Sequence, residues 1–235
     1  PSDLSYRRGL RAGRVSASGR RPIKFIYRRL VTSDAIRHWN EIGPLLKAYR
    51  LGEVRMVGSF RSELLHSKAV LAILRHPRVC EKMSAAERWL IDMHVPHAKI
   101  LTSESAETAA RAKNRWVIKP LDAYGSRGVA VGRTISRAGW IRALRLALRE
   151  GRYLLQQYVP APKESVLRVD RGRVSASGEM TSVGFFVYDG KMAGPYVRSG
   201  PMHPLSISRG AVTRPGFVVR PRPKSPPSGT RPGRK

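Results

Sequence analysis

A lysine and a glycine-bearing loop lie close together in the middle of the chain, and these residue types could bind phosphate together. Lys119 ends a short apolar run at 116–118, and residues 124–128 read YGSRG. An ammonium group supplies a point charge for phosphate oxygens, and glycines let backbone N–H groups approach the same oxygens closely. The GxxxxGK[ST] pattern is absent, so the loop is not a Walker A motif, and its glycine spacing alone carries little information.

Three strands and a helix are predicted around this loop. Apolar runs at 116–118 and 129–131 predict strands on either side of it. Ser136 can cap a helix that ends near Gly151. The apolar face of this helix would be Trp140, Ile141, Leu144 and Leu148. A further strand follows at 153–159, so the predicted order is strand, loop, strand, helix, strand.

This order of elements, together with its residues, resembles the ATP-grasp superfamily. Residues 116–129, WVIKPLDAYGSRGV, are similar to the pattern VLKPxDxYGGxGV of its circularly permuted branch, which contains glutathionylspermidine-synthase-like proteins. QQYV at 156–159 is similar to the QExV of that branch. The resemblance implies a nucleotide between two α+β lobes, with Lys119 contacting phosphate. It also implies a flap over the phosphates, formed by Tyr124, Gly125, Ser126 and Gly128. The hinge against adenine would be formed by Gln156, Gln157, Tyr158 and Val159.

From the residues alone, an ordinary β-hairpin and helix with a surface lysine remains the alternative to a nucleotide site.

Alternating strands and helices are also predicted before this region. Strands are expected at 23–27 and 54–57, and helices at 44–49, 60–76, 84–94 and 102–112. The apolar face of the helix at 60–76 would be Leu64, Leu65, Ala69, Leu71, Ala72 and Ile73. This alternation suits an α/β lobe.

Dispersed blocks of the N-terminal region are similar to the same permuted family. They are FIYRRL at 25–30, PLLKAYRLGEVRMV at 44–57 and FRSELLHSKAVLAIL at 60–74, and they follow the order of the family. The resemblance implies that Arg28 faces the phosphate or acyl-phosphate end of the cleft. The alternative is a surface arginine at the end of a strand.

A β-hairpin is predicted towards the C-terminal end. Asp189-Gly190 separates apolar runs at 183–188 and 191–198, which indicates a type I′ turn. A short strand is expected at 166–169 and a mobile loop at 170–178. The hairpin is similar to the GxFxxxGkxaGxxxR element of the family, with Arg198 as the terminal arginine. The resemblance implies that Arg198 and Arg28 act in catalysis, where they would stabilise charge on the transferring phosphoryl group.

The resemblance implies ATP and magnesium as cofactors, with an acyl-phosphate reaction that joins a carboxylate to an amine or thiol. Magnesium needs hard oxygen ligands, and here the chain departs from the family. Residues 181–183 read TSV where an acidic residue is expected, and no asparagine occurs at 207–212. Glu179 could act as a displaced ligand, but the metal ligands stay unknown. A degenerate, non-hydrolysing protein is therefore a second interpretation.

The charge of the chain supports a hypothesis from another class. The net charge is +29, of which residues 1–22 carry +5 and residues 220–235 carry +6, leaving +18 between them. A field of this strength attracts polyanions, so a basic protein that binds RNA or DNA through an α/β scaffold is the alternative function. The lone Cys80 suits a reducing cytoplasm, and no apolar run is long enough to span a bilayer.

We therefore predict an α+β fold with a two-lobed, ATP-grasp-like architecture of mixed and antiparallel sheets flanked by helices. The predicted segments are a disordered basic leader at 1–22, an α/β N-terminal lobe at 23–103, a nucleotide lobe at 104–219 and a disordered Pro/Arg-rich tail at 220–235. The sequence starts at Pro1, which is consistent with a fragment or a processed product.

Overall fold

The protein has an α+β fold with antiparallel and parallel sheets flanked by helices. The computed structural model describes residues 5–6, 10–12, 21–202 and 204–219. The chain divides into two compact units, Pro1–Ser84 and Ala85–Lys235. Most of the predicted leader and all of the predicted tail at 220–235 lie outside the described residues. The predicted boundary between two functional lobes after residue 103 stays a prediction.

The described residues of the first unit form two small sheets and several short helices, of which the first two are the longest. Strands β1 (Ser5–Tyr6), β2 (Leu10–Ala12) and β3 (Arg21–Pro22) form an antiparallel sheet. Strand β4 (Phe25–Tyr27) is followed by helices α1 (Thr32–Arg37) and α2 (Gly43–Arg50), and β5 (Arg55–Val57) then pairs with β4 in parallel. Leu45, Ala48 and Val54 form the buried cluster of this unit, so the predicted helix at 44–49 and strand at 54–57 are confirmed.

The helix predicted at 60–76 is broken into short pieces, and this expectation was wrong. A 3₁₀ turn at Phe60–Ser62 leads into α3 (Glu63–His66), which is followed by α4 (Val70–Ile73) and α5 (Pro77–Cys80). The break lies at Ser67, which has extended backbone angles and whose side chain accepts a hydrogen bond from the Ala69 N–H at 3.4 Å. Serine competes with the helix for backbone groups in this way. The expected apolar face does not form a core, because Leu64 and Leu65 are exposed.

A four-stranded antiparallel sheet organises the second unit, and we call it the central sheet. The segment begins with α6 (Ala85–His94), β6 (Ala98–Ile100) and α7 (Ser103–Arg111). It continues with β7 (Trp116–Pro120), β8 (Ala130–Val131), α8 (Arg137–Glu150) and β9 (Tyr153–Gln157). The strand order is β6-β9-β7-β8. Ser136 caps α8 by accepting from the Gly139 N–H, and Gly151 ends it in the left-handed conformation, as predicted.

Helices α7 and α8 cover one face of the central sheet. Trp140 of α8 is fully buried against Ile118 and Leu155. Its indole N–H donates to the Ala109 carbonyl of α7 at 2.9 Å, which joins the two helices. Because successive strand residues point to opposite faces, this packing also decides which residues of β7 and β9 face away from the helices.

A second antiparallel sheet follows in the order β10-β11-β12-β13. Its strands are β10 (Lys163–Asp170), β11 (Arg173–Tyr188), β12 (Lys191–Gly200) and β13 (Val212–Arg214). The mobile loop predicted at 170–178 is wrong, because these residues form the turn and the start of β11 and pair with β10 from Asp170↔Arg173 to Lys163↔Met180. The Asp189-Gly190 turn is confirmed, since both residues have positive φ, as a type I′ turn requires.

Among the described residues, no helix combines the length and the apolar character that crossing a bilayer requires.

Gly132 is expected to be intolerant of any side chain. An added Cβ would lie 2.0 Å from the Lys113 carbonyl oxygen and 2.8 Å from its carbon, and both are backbone atoms. The Lys113 ammonium also donates to the Gly132 and Ile135 carbonyls, which holds the two segments together. Gly132→Ala should lower the free energy of unfolding by at least about 2 kcal/mol, measured by urea denaturation.

Gly184→Ala is the matched control, because the nearest atom to an added Cβ there is 3.6 Å away. We expect this change to alter stability by less than about 1 kcal/mol. Equal losses in the two variants would contradict the close approach of the backbones at Gly132.

Candidate functional site

The structure brings together two of the residues that the sequence places in a nucleotide site. Lys119 on β7 donates from its ammonium to the Gln156 side-chain oxygen on β9 at 2.9 Å. Both side chains lie on the face of the central sheet that is opposite α7 and α8, because their neighbours Ile118 and Leu155 face the helices. Gln156 is neutral, so this contact fixes the position of the ammonium without adding a negative charge beside it.

The surroundings of the lysine on this face are apolar. Val117 and Leu154 share the face with Lys119 and are buried, with Leu154 fully so. Val131 of β8 pairs with Val117 and is buried as well. A charge held over an apolar floor interacts with an incoming anion more strongly than a charge in open water. The arrangement therefore suits the binding of an anionic group.

The loop at 124–128 consists of two consecutive tight turns. In the first, the Arg127 N–H donates to the Tyr124 carbonyl, and both central residues, Gly125 and Ser126, have positive φ, as in a type I′ turn. In the second, the Val129 N–H donates to the Ser126 carbonyl across Gly128, which also has positive φ. The Arg127 guanidinium stacks on the Tyr124 ring at 4.5 Å.

Several backbone donors of this loop are available to a ligand. Within the part of the chain that the structure describes, the N–H groups of Gly125, Ser126 and Gly128 donate to no acceptor. Unpaired N–H groups in consecutive turns form concavities that bind anions. Ser126 stands where the family pattern has glycine, and its φ of 61° explains why glycine suits that position.

A side chain at position 128 is disfavoured for steric as well as for conformational reasons. An added Cβ would lie 2.6 Å from Pro120 Cγ and 3.0 Å from the Tyr153 hydroxyl. Tyr153 is buried, and burial, followed by the neighbouring Glu150, raises its pKa. The phenol therefore stays protonated at neutral pH, and the end of the loop packs closely on it.

Two of the predicted hinge residues already donate backbone hydrogen bonds within the protein. The Gln157 N–H donates to the His97 carbonyl at 2.7 Å, and the Tyr158 N–H donates to the Arg115 carbonyl at 2.8 Å. The Arg133 guanidinium lies 5.5 Å from the centre of the Tyr158 ring. An adenine at this hinge would therefore be bound through other groups, such as the backbone of Val159. The role of the hinge residues in adenine binding stays a prediction.

Arg28, in the first unit, makes contacts that hold a neighbouring loop. Its guanidinium donates to the Ser59 carbonyl at 3.2 Å and to the Ser62 hydroxyl at 3.0 Å, and it lies 5.0 Å from the centre of the Phe60 ring. It also donates to the carbonyls of Gly58 and Leu30. These contacts account for its half-buried position just after β4 without a ligand, so its catalytic role stays a prediction.

Arg198 lies on β12 with its guanidinium 5.2 Å from the centre of the Tyr196 ring. The register places it opposite Ser182 of β11 and Thr213 of β13. Its side chain is on the face of the second sheet that is opposite Glu179, because odd and even residues of β11 alternate between faces. The structure leaves its catalytic role a prediction.

A buried charge network on the second sheet was not foreseen from the sequence. Glu179 is only 2% exposed, and its carboxylate accepts from the hydroxyls of Ser199 at 2.6 Å and Ser177 at 3.2 Å. The guanidinium groups of Arg168 and Arg214 also donate to it. The Ser199 hydroxyl, followed by the two arginines and Ser177, lowers the pKa of Glu179 to about 2, against the opposing effect of burial.

This network corrects the suggestion that Glu179 is a displaced metal ligand. Both carboxylate oxygens are already bonded to cationic or hydroxyl donors, so a cation would have to displace them. The Asp122 carboxylate is likewise paired, with the guanidinium of Arg152. Among the described residues, no three His, Cys, Asp or Glu side chains form a group that could hold a metal ion.

The Glu179 network predicts a loss of stability in acid. The folded pKa lies below the ordinary value of 4.5, so the stabilisation is complete above about pH 4.5 and is lost as the pH falls towards about 2. Glu179→Gln should lower the free energy of unfolding at pH 7 by about 3 kcal/mol, since it leaves two guanidinium groups without their carboxylate. It should also flatten the pH dependence in that window, measured by urea denaturation at several pH values.

Glu164→Gln is the control for this change. Glu164 lies directly opposite Glu179 in the ladder but is exposed, so its replacement should change stability by less than about 0.5 kcal/mol. A Glu179→Gln variant with wild-type stability and acid sensitivity would show that the network is not formed.

Gly128 and Gly125 provide a matched pair for testing the loop. Both have positive φ, but an added Cβ at Gly125 meets nothing within 4 Å, whereas at Gly128 it meets Pro120 and Tyr153. Gly125→Ala should cost about 1 kcal/mol for the conformation alone, and Gly128→Ala about 3 kcal/mol because overpacking is added. Thermal unfolding of the two variants measures the difference, and equal losses would contradict the packing of Gly128 on Tyr153.

Comparisons with known proteins show a distant likeness to a solved structure. The chain matches no protein-family model and no curated protein. Among solved structures it is similar to D-alanyl-alanine synthetase A from Vibrio cholerae O1 biovar eltor str. N16961, with 13% sequence identity and a TM-score of 0.45. The match covers 89% of this chain and 57% of that synthetase, so the chain spans little more than half of the synthetase's length. A likeness this distant assigns neither a family nor an activity.

Proposed function

We propose that the chain binds ATP in the manner of the circularly permuted ATP-grasp branch and acts as a carboxylate–amine or carboxylate–thiol ligase. The observation that carries the proposal is the contact between Lys119 and Gln156 on the face of the central sheet opposite α7 and α8. Sequence resemblance had assigned both residues to one nucleotide site, although they lie 37 positions apart in the chain. The pairing of β7 with β9 makes them diagonal neighbours on one face of the sheet.

In this proposal each part of the site has one task. Lys119 supplies positive charge to the phosphates, positioned by Gln156. The N–H groups of the loop at 124–128 bind phosphate oxygens as the loop closes over them. The residues Gln157, Tyr158 and Val159 lie against adenine.

The reaction proposed from the family resemblance takes place in two steps. A substrate carboxylate oxygen attacks the γ-phosphorus of ATP, which forms an acyl phosphate and releases ADP. An amine or thiol then attacks the acyl carbon, releases inorganic phosphate and loses a proton. Arg28 and Arg198 are the proposed groups that stabilise charge during phosphoryl transfer. The substrates and a cytoplasmic location also stay predictions.

Glu179 and Asp122 are paired with arginines, and the described residues contain no group of three His, Cys, Asp or Glu side chains that could hold a metal ion, so they do not fit a magnesium site held by the protein. We therefore derive no step through magnesium. This disagreement favours nucleotide binding as the part of the proposal to test first, ahead of ligase turnover.

Thermal unfolding with and without ATP tests the proposal, with Lys119→Ala beside a matched control. Lys99→Ala is that control, since Lys99 is exposed on β6 of the same sheet and its register with Leu155 places it on the opposite face. At ATP concentrations of about 100 times Kd, wild type and Lys99→Ala should be stabilised by about 2.7 kcal/mol. For a chain of this size this corresponds to a rise in Tm of about 5–10 °C.

Lys119→Ala should lose most of this rise. Tripolyphosphate serves as the ligand control, because it carries the charge of ATP without the adenine. Equal shifts with both ligands, or equal shifts in both lysine variants, would mean that the general positive charge and not a nucleotide site is responsible. Repeating the titration with and without magnesium distinguishes an active metal-dependent site from a degenerate one.

A further inference from the structure

Helix α8 carries a row of three exposed arginines on its outer face: Arg142, Arg145 and Arg149. Their spacing of three and four residues places them within about 60° of one another around the helix. The row extends about 10 Å along the helix axis. We call this row the arginine stripe.

The arginine stripe has no acidic partner within the part of the chain that the structure describes. Several other arginines of the second unit do pair with carboxylates, for example Arg152 with Asp122 and Arg214 with Glu179. The nearest acid on the helix, Glu150, interacts with Tyr153. The two terminal segments are also poor in acidic residues, since residues 1–22 contain one and residues 220–235 contain none. A partner of the stripe must therefore bring its own negative charge.

The stripe is held rigidly by the core beneath it. Trp140, Leu144 and Ala147 on the inner face of α8 are almost completely buried. Both ends of the helix are capped, by Ser136 and Gly151. The arginines thus project from a rigid helix. Binding of an anion with matching spacing therefore costs little conformational entropy of the protein backbone.

We propose that the arginine stripe binds the phosphate backbone of nucleic acid without reading the bases. Guanidinium groups bind phosphate oxygens in pairs of hydrogen bonds, and a nucleic-acid strand presents phosphates in a row. A membrane surface fits less well, because helices that lie on membranes insert an apolar face. The apolar face of α8 is buried in the core, and Leu146 is the one large apolar side chain exposed beside the stripe.

This surface is distinct from the proposed nucleotide site. The stripe lies on the outer side of α8, whereas Lys119 is on the face of the central sheet that points away from α8. The two sites can therefore be tested separately, and failure of one leaves the other standing.

The test measures binding of the full chain to a short fluorescein-labelled DNA duplex of mixed sequence by fluorescence anisotropy over a range of salt concentrations. The test variant is Arg142→Gln, Arg145→Gln and Arg149→Gln combined, since glutamine has nearly the same helix propensity as arginine. The control variant combines Lys163→Gln, Arg173→Gln and Lys191→Gln, three exposed cations of the second sheet. Both variants lose the same charge.

The stripe variant should bind at least about tenfold more weakly at low salt, and the slope of log affinity against log salt should fall by about 2 to 3. The control variant should stay within about twofold of wild type. Unchanged Tm and circular dichroism establish that both variants are folded, and an unchanged response to ATP separates the result from the nucleotide site.

Three outcomes would overturn the proposal. Equal weakening of duplex binding in both variants would mean that binding follows total charge, and no weakening in the stripe variant would mean that this helix does not bind the duplex. The third outcome is measured by binding of the same proteins to phosphatidylserine vesicles. If the stripe variant loses vesicle binding and keeps duplex binding, the surface serves a membrane instead.

Discussion

The packing of Trp140 between α7 and the central sheet is the contact on which the second unit depends. Its ring is buried in one cluster with Ile118 and Leu155, and its N–H donates to the Ala109 carbonyl of α7. Because strand residues alternate between faces, this contact commits the residues on either side to the opposite face. Lys119 and Gln156 meet for that reason, and a one-residue slip of either strand would separate them.

The scarcity of acidic residues shapes the electrostatics of the whole chain. There are 16 acidic residues against 45 basic ones, so a single carboxylate can have more than one cation as its partner. Glu179, with two arginines and two hydroxyl groups, is the clearest case. Such a carboxylate stabilises the fold but is poorly suited to bind a metal ion. Anionic ligands, in contrast, meet many unpaired cations.

Features that depend on a few neighbouring residues could be predicted from the sequence. Ser136 and Gly151 set the ends of α8, and Asp189-Gly190 sets the hairpin turn, because caps and tight turns are decided by local conformational preferences. The break at Ser67 is local too, but the apolar spacing on both sides of it masked the competing serine hydrogen bond.

Features that depend on distant pairing could not be predicted in the same way. The segment at 170–178 is polar and rich in small residues, as loops are, yet it is a strand because β10 provides a complete ladder for it. Glu179 acquires its role from Arg214, 35 positions away, and from Ser199, 20 positions away. In the candidate site, the motif indicated Lys119 and the glycines, but only the register of β7 and β9 shows that Gln156 is the partner of the lysine.

Helix α8 links the two surfaces that carry charge in the second unit. Its inner face holds β9 and β7 in register and so fixes the position of Gln156 under the Lys119 ammonium. Its outer face carries Arg142, Arg145 and Arg149. A substitution that loosened the inner face, for example at Leu144, would therefore disturb both surfaces, whereas changes to the outer arginines leave the core untouched. The same helix thus allows the two proposed binding activities to be separated by substitution, although they share one structural support.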